Sequence, residues 1–246
     1  MMRARALLFD LFGTVVHFAP RVPTVEVAGT PWRSTMGWLR AAAERELPAV
    51  RFDDLLASLL AVTEEIVRQR PPEYREVPSR ERFRRALRRV DVSEAEAADI
   101  GTRLSLAHMA HLASMTLLPA GHLDVLQTLT PHYRLALVSN FDHAATARRI
   151  LAEHGVAPFF DPILVSEEFG RRKPHPAIFG AALAAVETRA ADAVYIGDSV
   201  ADDVVGARNA GLRAIWVNAK REPLPAGAPQ PDYVIAHLNE LPSLLA

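Results

Sequence analysis

Apolar residues along this chain gather in short unbroken runs that stop at polar residues. ALLF ends at Asp10, LALV at Ser139, AVYI at Gly197 and Asp198, and AIWV at Asn218. Such runs lack the alternation of a half-solvated strand, so they predict parallel strands buried on both faces. PILV before Ser166 is a fifth candidate, and DYVIA near residue 232 is a weaker sixth. From Ser139 onward the runs recur every 20 to 30 residues or so, the length of a strand–helix–strand unit. Between Asp10 and Ser139 the gap is 129 residues, so a large insertion separates the first strand from the second.

Within that gap the period changes to that of helices. Thr30 followed by Pro31 predicts a capped helix start, with Trp32, Met36, Leu39, Ala43 and Leu47 at helical spacing. Phe52, Leu55, Leu56, Leu59, Leu60 and Ile66 form a second apolar face. Ser79 predicts the cap of a third helix carrying Phe83, Leu87 and Val90, and Ser93 with Glu96 reads as a capping box opening a fourth. LLPAGH at 117–122 marks the return to the strand-bearing part. The expectation is a Rossmann-like parallel α/β core of five or six strands, residues 1–16 and 117–246, with an inserted α-helical cap domain at 17–116. The long connection from His17 to Pro31 is compatible with a small hairpin or flap.

Composition narrows the chemistry. Half of the 246 residues are hydrophobic, enough for a sizeable core. The net charge of −1 gives no case for nucleic acid or membrane binding. With no cysteine, disulfides, thiolate catalysis and cysteine zinc sites are excluded. The four-residue apolar run before Asp10 is too short for a signal peptide or a membrane span, and the expectation is a cytoplasmic protein. In open parallel sheets ligands bind at the carboxyl ends of the strands, where Asp10, Ser139, Lys173 and Asp198 fall.

Four motifs in order carry a family resemblance: DLFGT from Asp10 to Thr14, VSN with Ser139, RRKPHPAIF with Lys173, and YIGDSVADD with Asp198 and Asp203. In these the chain resembles the haloacid dehalogenase superfamily of hydrolases, over about residues 5–16 and 118–220, with the helical insertion resembling the family's cap. The resemblance implies that Asp10 is a nucleophile forming a covalent aspartyl intermediate. It implies that Thr14 and Ser139 bond the transferring group, and that Lys173 neutralises charge on nucleophile and substrate. It implies a Mg2+ ion held by Asp10, Asp198, Asp203 and the backbone carbonyl of Phe12. Phe12, Gly13 and Asn140 are expected beside a small anionic substrate, with loop amides after Asp10 cradling phosphate oxygens. A cap beside Asp10 is expected to act as its lid.

One position departs from the pattern. Family phosphatases carry an aspartate two residues after the nucleophile, as general acid and base. Here that residue is Phe12, which moves no proton. Family dehalogenases place an aromatic there, because halide departs without one, yet they tend to lose the first metal-binding aspartate, which this chain keeps as Asp198. The reading is a Mg2+-dependent phosphatase on a small phosphorylated metabolite, including acyl phosphates. The alternatives are a 2-haloacid dehalogenase and a non-catalytic binding protein.

Other residues have weaker patterns. His17 is a candidate replacement for the missing acid, beside the plainer role of a hinge or surface histidine. His108 and His111 have metal-pair spacing without an evident third ligand. The basic run from Ser79 to Arg89 reads as a solvated helix face, with an anion clamp as the rival, and Arg33 and Arg40 are further candidates to reach a substrate. Trp32, Trp38, Phe18 and Met36 could line an apolar pocket or a dimer contact. Monomer and homodimer both stay open.

Overall fold

The computed structural model describes residues 4–19, 22–27 and 30–245. Six strands form one parallel sheet: β1 (Ala6–Phe9), β2 (Arg134–Ser139), β3 (Ile163–Val165), β4 (Ala193–Gly197), β5 (Arg213–Val217) and β6 (Tyr233–Ile235). Their spatial order is β6-β5-β4-β1-β2-β3. The strands are those that the apolar runs predict. All four β1 residues have no exposed surface, as expected for a central strand with helices on both faces. Alternate residues on one face, such as Leu8, Val138 and Tyr195, join Phe179 and Trp216 in a continuous core.

The order reverses beside β1: later strands go to one side up to β3, then to the other side from β4. Loops leaving β1 and β4 therefore open a crevice at the carboxyl ends of the strands. Phe9 is in register with Leu137 and Ile196, which sets Asp10 level with the ends of both neighbouring strands.

The chain divides into two compact units. One holds the sheet and comprises the residues up to Phe18, Pro72–Glu76, and the chain from Thr116 on. The other comprises Ala19–Pro71 and Val77–Met115. Against the expected division at 16/17 and 116/117, the ends differ by a residue or two. There the connections pair as short antiparallel strands, His17–Phe18 with Thr116–Leu117. The larger difference is Pro72–Glu76. This segment lies inside the insertion yet belongs to the sheet-bearing unit, because Arg75 bridges Arg171 and the Arg172 amide donates to the Tyr74 carbonyl (2.9 Å).

The helical unit contains α1 (Arg40–Glu46), α2 (Phe52–Gln69), α3 (Ser79–Arg88) and α4 (Glu94–Ser114). Leu39, Leu55, Leu56, Leu59, Phe83, Leu87 and Leu104 are buried in its own core. The Ser93 cap is present, accepting from the Glu96 amide. Two predicted starts are corrected. Thr30–Arg33 is a strand paired with Thr24–Val27, and Ser34, not Thr30, caps the helical turn that follows, accepting from the Met36 amide. The proline that reads as a helix start thus sits in a hairpin strand. At α3 the preceding Pro78 occupies the cap position, and Ser79 is its first helical residue, with a buried hydroxyl that has no hydrogen-bond partner.

Candidate active site

The site is built on Lys173. It follows the 163–170 stretch in a tight loop and is 1% exposed. A buried ammonium needs acceptors for all its hydrogens. It has three: Asp10 Oδ1 at 2.6 Å, Asp203 Oδ1 at 2.7 Å and the Tyr195 hydroxyl at 2.7 Å. Tyr195 in turn donates to the Val138 carbonyl (3.1 Å). Asn140 fixes the lysine's backbone from both sides, accepting from the Lys173 amide (2.8 Å) and donating to its carbonyl (3.0 Å). The Asn140 Nδ2 also donates to Asp202 Oδ2 (3.1 Å). Asn140, expected beside substrate, thus has both ends of its side chain engaged in holding the lysine loop, although it still borders the cavity described below.

Asp10 leaves β1 with its amide bonded to the Ile196 carbonyl (2.9 Å). Asp198 and Asp203 follow β4. The Asp203 carboxylate accepts from the Ser199 amide (2.9 Å) and lies against Gly197, where a Cβ would stand 2.3 Å from its Cγ. Asp198 lies against Gly13, where a Cβ would stand 2.2 Å from Oδ2, and Gly13 has φ +84°. Both glycines are thus required by close approach. Oxygens of Asp10, Asp198 and Asp203 all lie within 4.8 Å of one another. Burial pushes the Asp10 carboxyl up to about 7; the Lys173 charge opposes the shift, and Asp203 and Asp198 add to it. Burial, then the Asp203 charge, pushes Asp198 up to about 6. Two carboxyls that resist ionising, with the Asp203 oxygens beside them, offer hard ligands that suit a divalent cation such as Mg2+.

A cavity of about 150 Å³ is lined by Asp10, Phe12, Asn140, Arg172, Lys173 and the Asp198–Asp203 loop. Its ionisable side chains are four carboxylates, Asp10, Asp198, Asp202 and Asp203, and two cations, Arg172 and Lys173. At the same end of the sheet, the Thr14 and Ser139 hydroxyls are buried and have no hydrogen-bond partner. A buried unsatisfied hydroxyl costs about 1–3 kcal/mol, and a transferring group accepting from both would remove that cost. The Gly13 amide, expected to cradle oxygens, instead donates to the Val16 carbonyl (2.8 Å), closing the loop on itself.

Phe12 is half-buried in an aromatic wall. It stacks on Phe18 (4.8 Å, 13°) and tilts against Phe141 (4.8 Å, 45°). Phe18 therefore belongs with the loop that follows Asp10, not with Trp38 and Met36 of the helical unit. The side chains of Trp32 and Arg33 lie outside the described residues. His17 lines a neighbouring cavity of about 160 Å³ with Gly13, Asp198, Trp216 and Lys220. Its ring packs edge-on against His122 (5.7 Å), and burial, then the His237 charge, holds its pKa down. His17 thus shares Asp198 with the cavity beside Asp10 but does not line it.

The remaining candidates have structural partners. His108 is buried, shares a hydrogen bond with Thr35 (2.9 Å), and is held down to about 3, chiefly by burial. His111 packs on Trp38, and among the described residues only the three aspartates form a metal-like cluster. Along the basic run, Arg84 and Arg85 pair with Glu81 (2.6 and 2.7 Å), and Arg89 pairs with Glu65. That run is a salt-bridged helix face. Arg40 stacks over Phe52 and pairs with Asp53 (3.1 Å). Tyr195, Asp202, Arg172 and Glu76 are site residues that sequence reasoning misses. Only Tyr195 has a readable signal, a phenol inside a fully buried strand that must find a partner.

Known proteins share parts of this sequence and this fold. N-acylneuraminate-9-phosphatase of Mus musculus is 34% identical over 123 residues, 49% of each chain. Pyrimidine 5'-nucleotidase YjjG of Escherichia coli is 31% identical over 126 residues, 51% of this chain and 55% of that protein. The chain thus spans about half the length of the curated relatives it matches. The crystal structure of a 2-haloacid dehalogenase from Pseudomonas syringae superposes with a TM-score of 0.74 at 26% identity, covering 98% of both chains. A family model matches residues 4–211, and with it the chain belongs to the haloacid dehalogenase-like hydrolases.

Proposed function

We propose that this hydrolase is a Mg2+-dependent phosphatase acting on a small anionic substrate, with Asp10 as nucleophile. The observation that carries this reading is the convergence of Asp10, Asp198 and Asp203 within 4.8 Å, with two of the three carboxyls pushed up by burial and repulsion. Asp10, Asp198 and Asp203 would hold the ion, which when bound supplies charge neutralisation between the anionic nucleophile and an anionic phosphate. Lys173 holds Asp10 in place, and the Thr14 and Ser139 hydroxyls donate to the phosphoryl oxygens. An Asp10 oxygen attacks phosphorus, the bond to the leaving oxygen breaks, and that oxygen departs with the electron pair. Water then attacks phosphorus of the aspartyl phosphate, which frees Asp10 and releases inorganic phosphate.

Phe12 shapes the substrate class. With no proton donor at that position, the preferred substrates are those whose leaving group departs as a stable anion, acyl phosphates first. The aromatic wall of Phe12, Phe18 and Phe141 and the 26% identical dehalogenase structure favour a second reading, displacement of halide from a 2-haloacid. The test is a mixed panel of phosphate esters, acyl phosphates and 2-haloacids, run with Mg2+ and with a chelator. Mg2+-dependent phosphate release, fastest from acyl phosphates, is expected. Halide release that persists in the chelator would replace the first reading by the second.

A further inference from the structure

The ammonium of Lys173 has three hydrogens, and Asp10, Asp203 and Tyr195 take all three. It neutralises the nucleophile but has no N–H left to offer a substrate. The other cation on the cavity wall is Arg172. Its side chain is 13% exposed, and Nη1 donates to both Glu76 oxygens (3.3 and 3.2 Å). The Nε and Nη2 groups have no hydrogen-bond partner among the described residues, and the carboxylate that feels the Arg172 charge from the same cavity is Asp202. A guanidinium held by one nitrogen keeps its other donors for a second acceptor, and they suit an oxyanion.

Glu76 arrives from the segment Pro72–Glu76 that the helical insertion contributes to the sheet-bearing unit. The Glu76 amide donates to the Gly170 carbonyl (3.1 Å), and its side chain is only 3% exposed. It also accepts from the Ser166 hydroxyl (2.5 Å), and Ser166 in turn accepts from the Phe141 amide (2.9 Å). One buried carboxylate therefore fixes the arginine beside Lys173 and, through Ser166, the loop that carries Asn140 and Phe141.

We propose that Arg172 grips an anionic oxygen of the substrate, phosphoryl or carboxylate, and that Glu76 is the positioning residue that aims it. This rests on Asp10 being the reacting centre, not on which of the two leaving groups departs. The test measures binding of orthophosphate and of 2-chloropropionate in the presence of Mg2+ by calorimetry, and steady-state turnover of p-nitrophenyl phosphate. Arg172→Gln should weaken binding of the recognised anion by about ten- to a hundredfold, raising KM more than it lowers kcat, with Mg2+ bound no more weakly than before. Arg172→Lys should recover part of the loss, and Glu76→Gln should fall between.

Because Arg172→Gln takes the Arg172 charge away from the buried Glu76 carboxylate, that variant can fail to fold. The double variant Arg172→Gln with Glu76→Gln removes both charges together and should show the same loss of anion binding. Anion affinity of the unaltered protein in either folded variant overturns the proposal, as does the unaltered protein binding neither anion. Should the unaltered protein bind 2-chloropropionate and turn over no phosphate ester, the phosphatase reading fails while the role of Arg172 is still tested by the carboxylate arm.

Discussion

Lys173 shows how little slack the site has at the scale of single residues. Its charge is buried, so each acceptor matters. Tyr195→Phe leaves one ammonium hydrogen and the Val138 carbonyl without their partner, and should lower stability by about 1–3 kcal/mol, read from urea unfolding. Asp198 works in the opposite sense. Without a cation its folded pKa of about 6 stands above the ordinary value of 3.8. Below the lower value both folded and unfolded chains hold the proton, and nothing is lost. As pH rises between the two values the unfolded chain releases its proton first, so stability falls, and above about 6 the penalty is constant. In chelator, Asp198→Asn should therefore stabilise the protein near pH 8, by about 1 kcal/mol once solvent screening at this exposed residue is allowed for, and leave it unchanged near pH 3. Thermal melts at the two pH values check both the size and the sign. Asp10, Thr14, Ser139, Lys173, Asp198 and Asp203 are all legible as residues because four motifs stand in order. Arg172 and Glu76 are not: Arg172 stands in the third motif with no role attached to it, and the partner that holds it lies 96 positions away.

Elements were legible wherever one period dominated. The strands of the sheet follow from unbroken apolar runs, and α2 and α4 from a helical stripe or a capping box. The missed element is the Thr24–Val27 and Thr30–Arg33 hairpin, where Thr30 and Pro31 carry a helix-start pattern and local pairing overrides it. The loops after β1 and β4 are tied by close approach, which no local pattern records. Gly13→Ala would place a methyl 2.2 Å from Asp198 Oδ2 at a φ of +84°. It should push Asp198 out of the cluster and weaken Mg2+ binding by about ten- to a hundredfold, measured by calorimetry, with the far-ultraviolet spectrum retained.

At the scale of the whole molecule, the chain passes between its two units at four places, not the two expected of a simple insertion. The extra passes bring Glu76 into the sheet-bearing unit, so a core made by joining Phe18 to Thr116 would leave Ser166 and Arg172 without it. On the proposed reading, the cavity's four carboxylates against two cations are a receptor for a divalent ion. Mg2+ at a hundred times its dissociation constant should add about 2.7 kcal/mol to stability, seen as a rise in Tm that Asp198→Asn removes.

The central claim is that Asp10 takes the transferring group. The most direct measurement is the mass of the protein, acid-quenched during a single turnover of acetyl phosphate with Mg2+ and then digested. One added phosphoryl group on the peptide bearing Asp10, absent in Asp10→Asn and in chelator, is the predicted result. Turnover with that peptide unmodified, or retained in Asp10→Asn, would contradict the account.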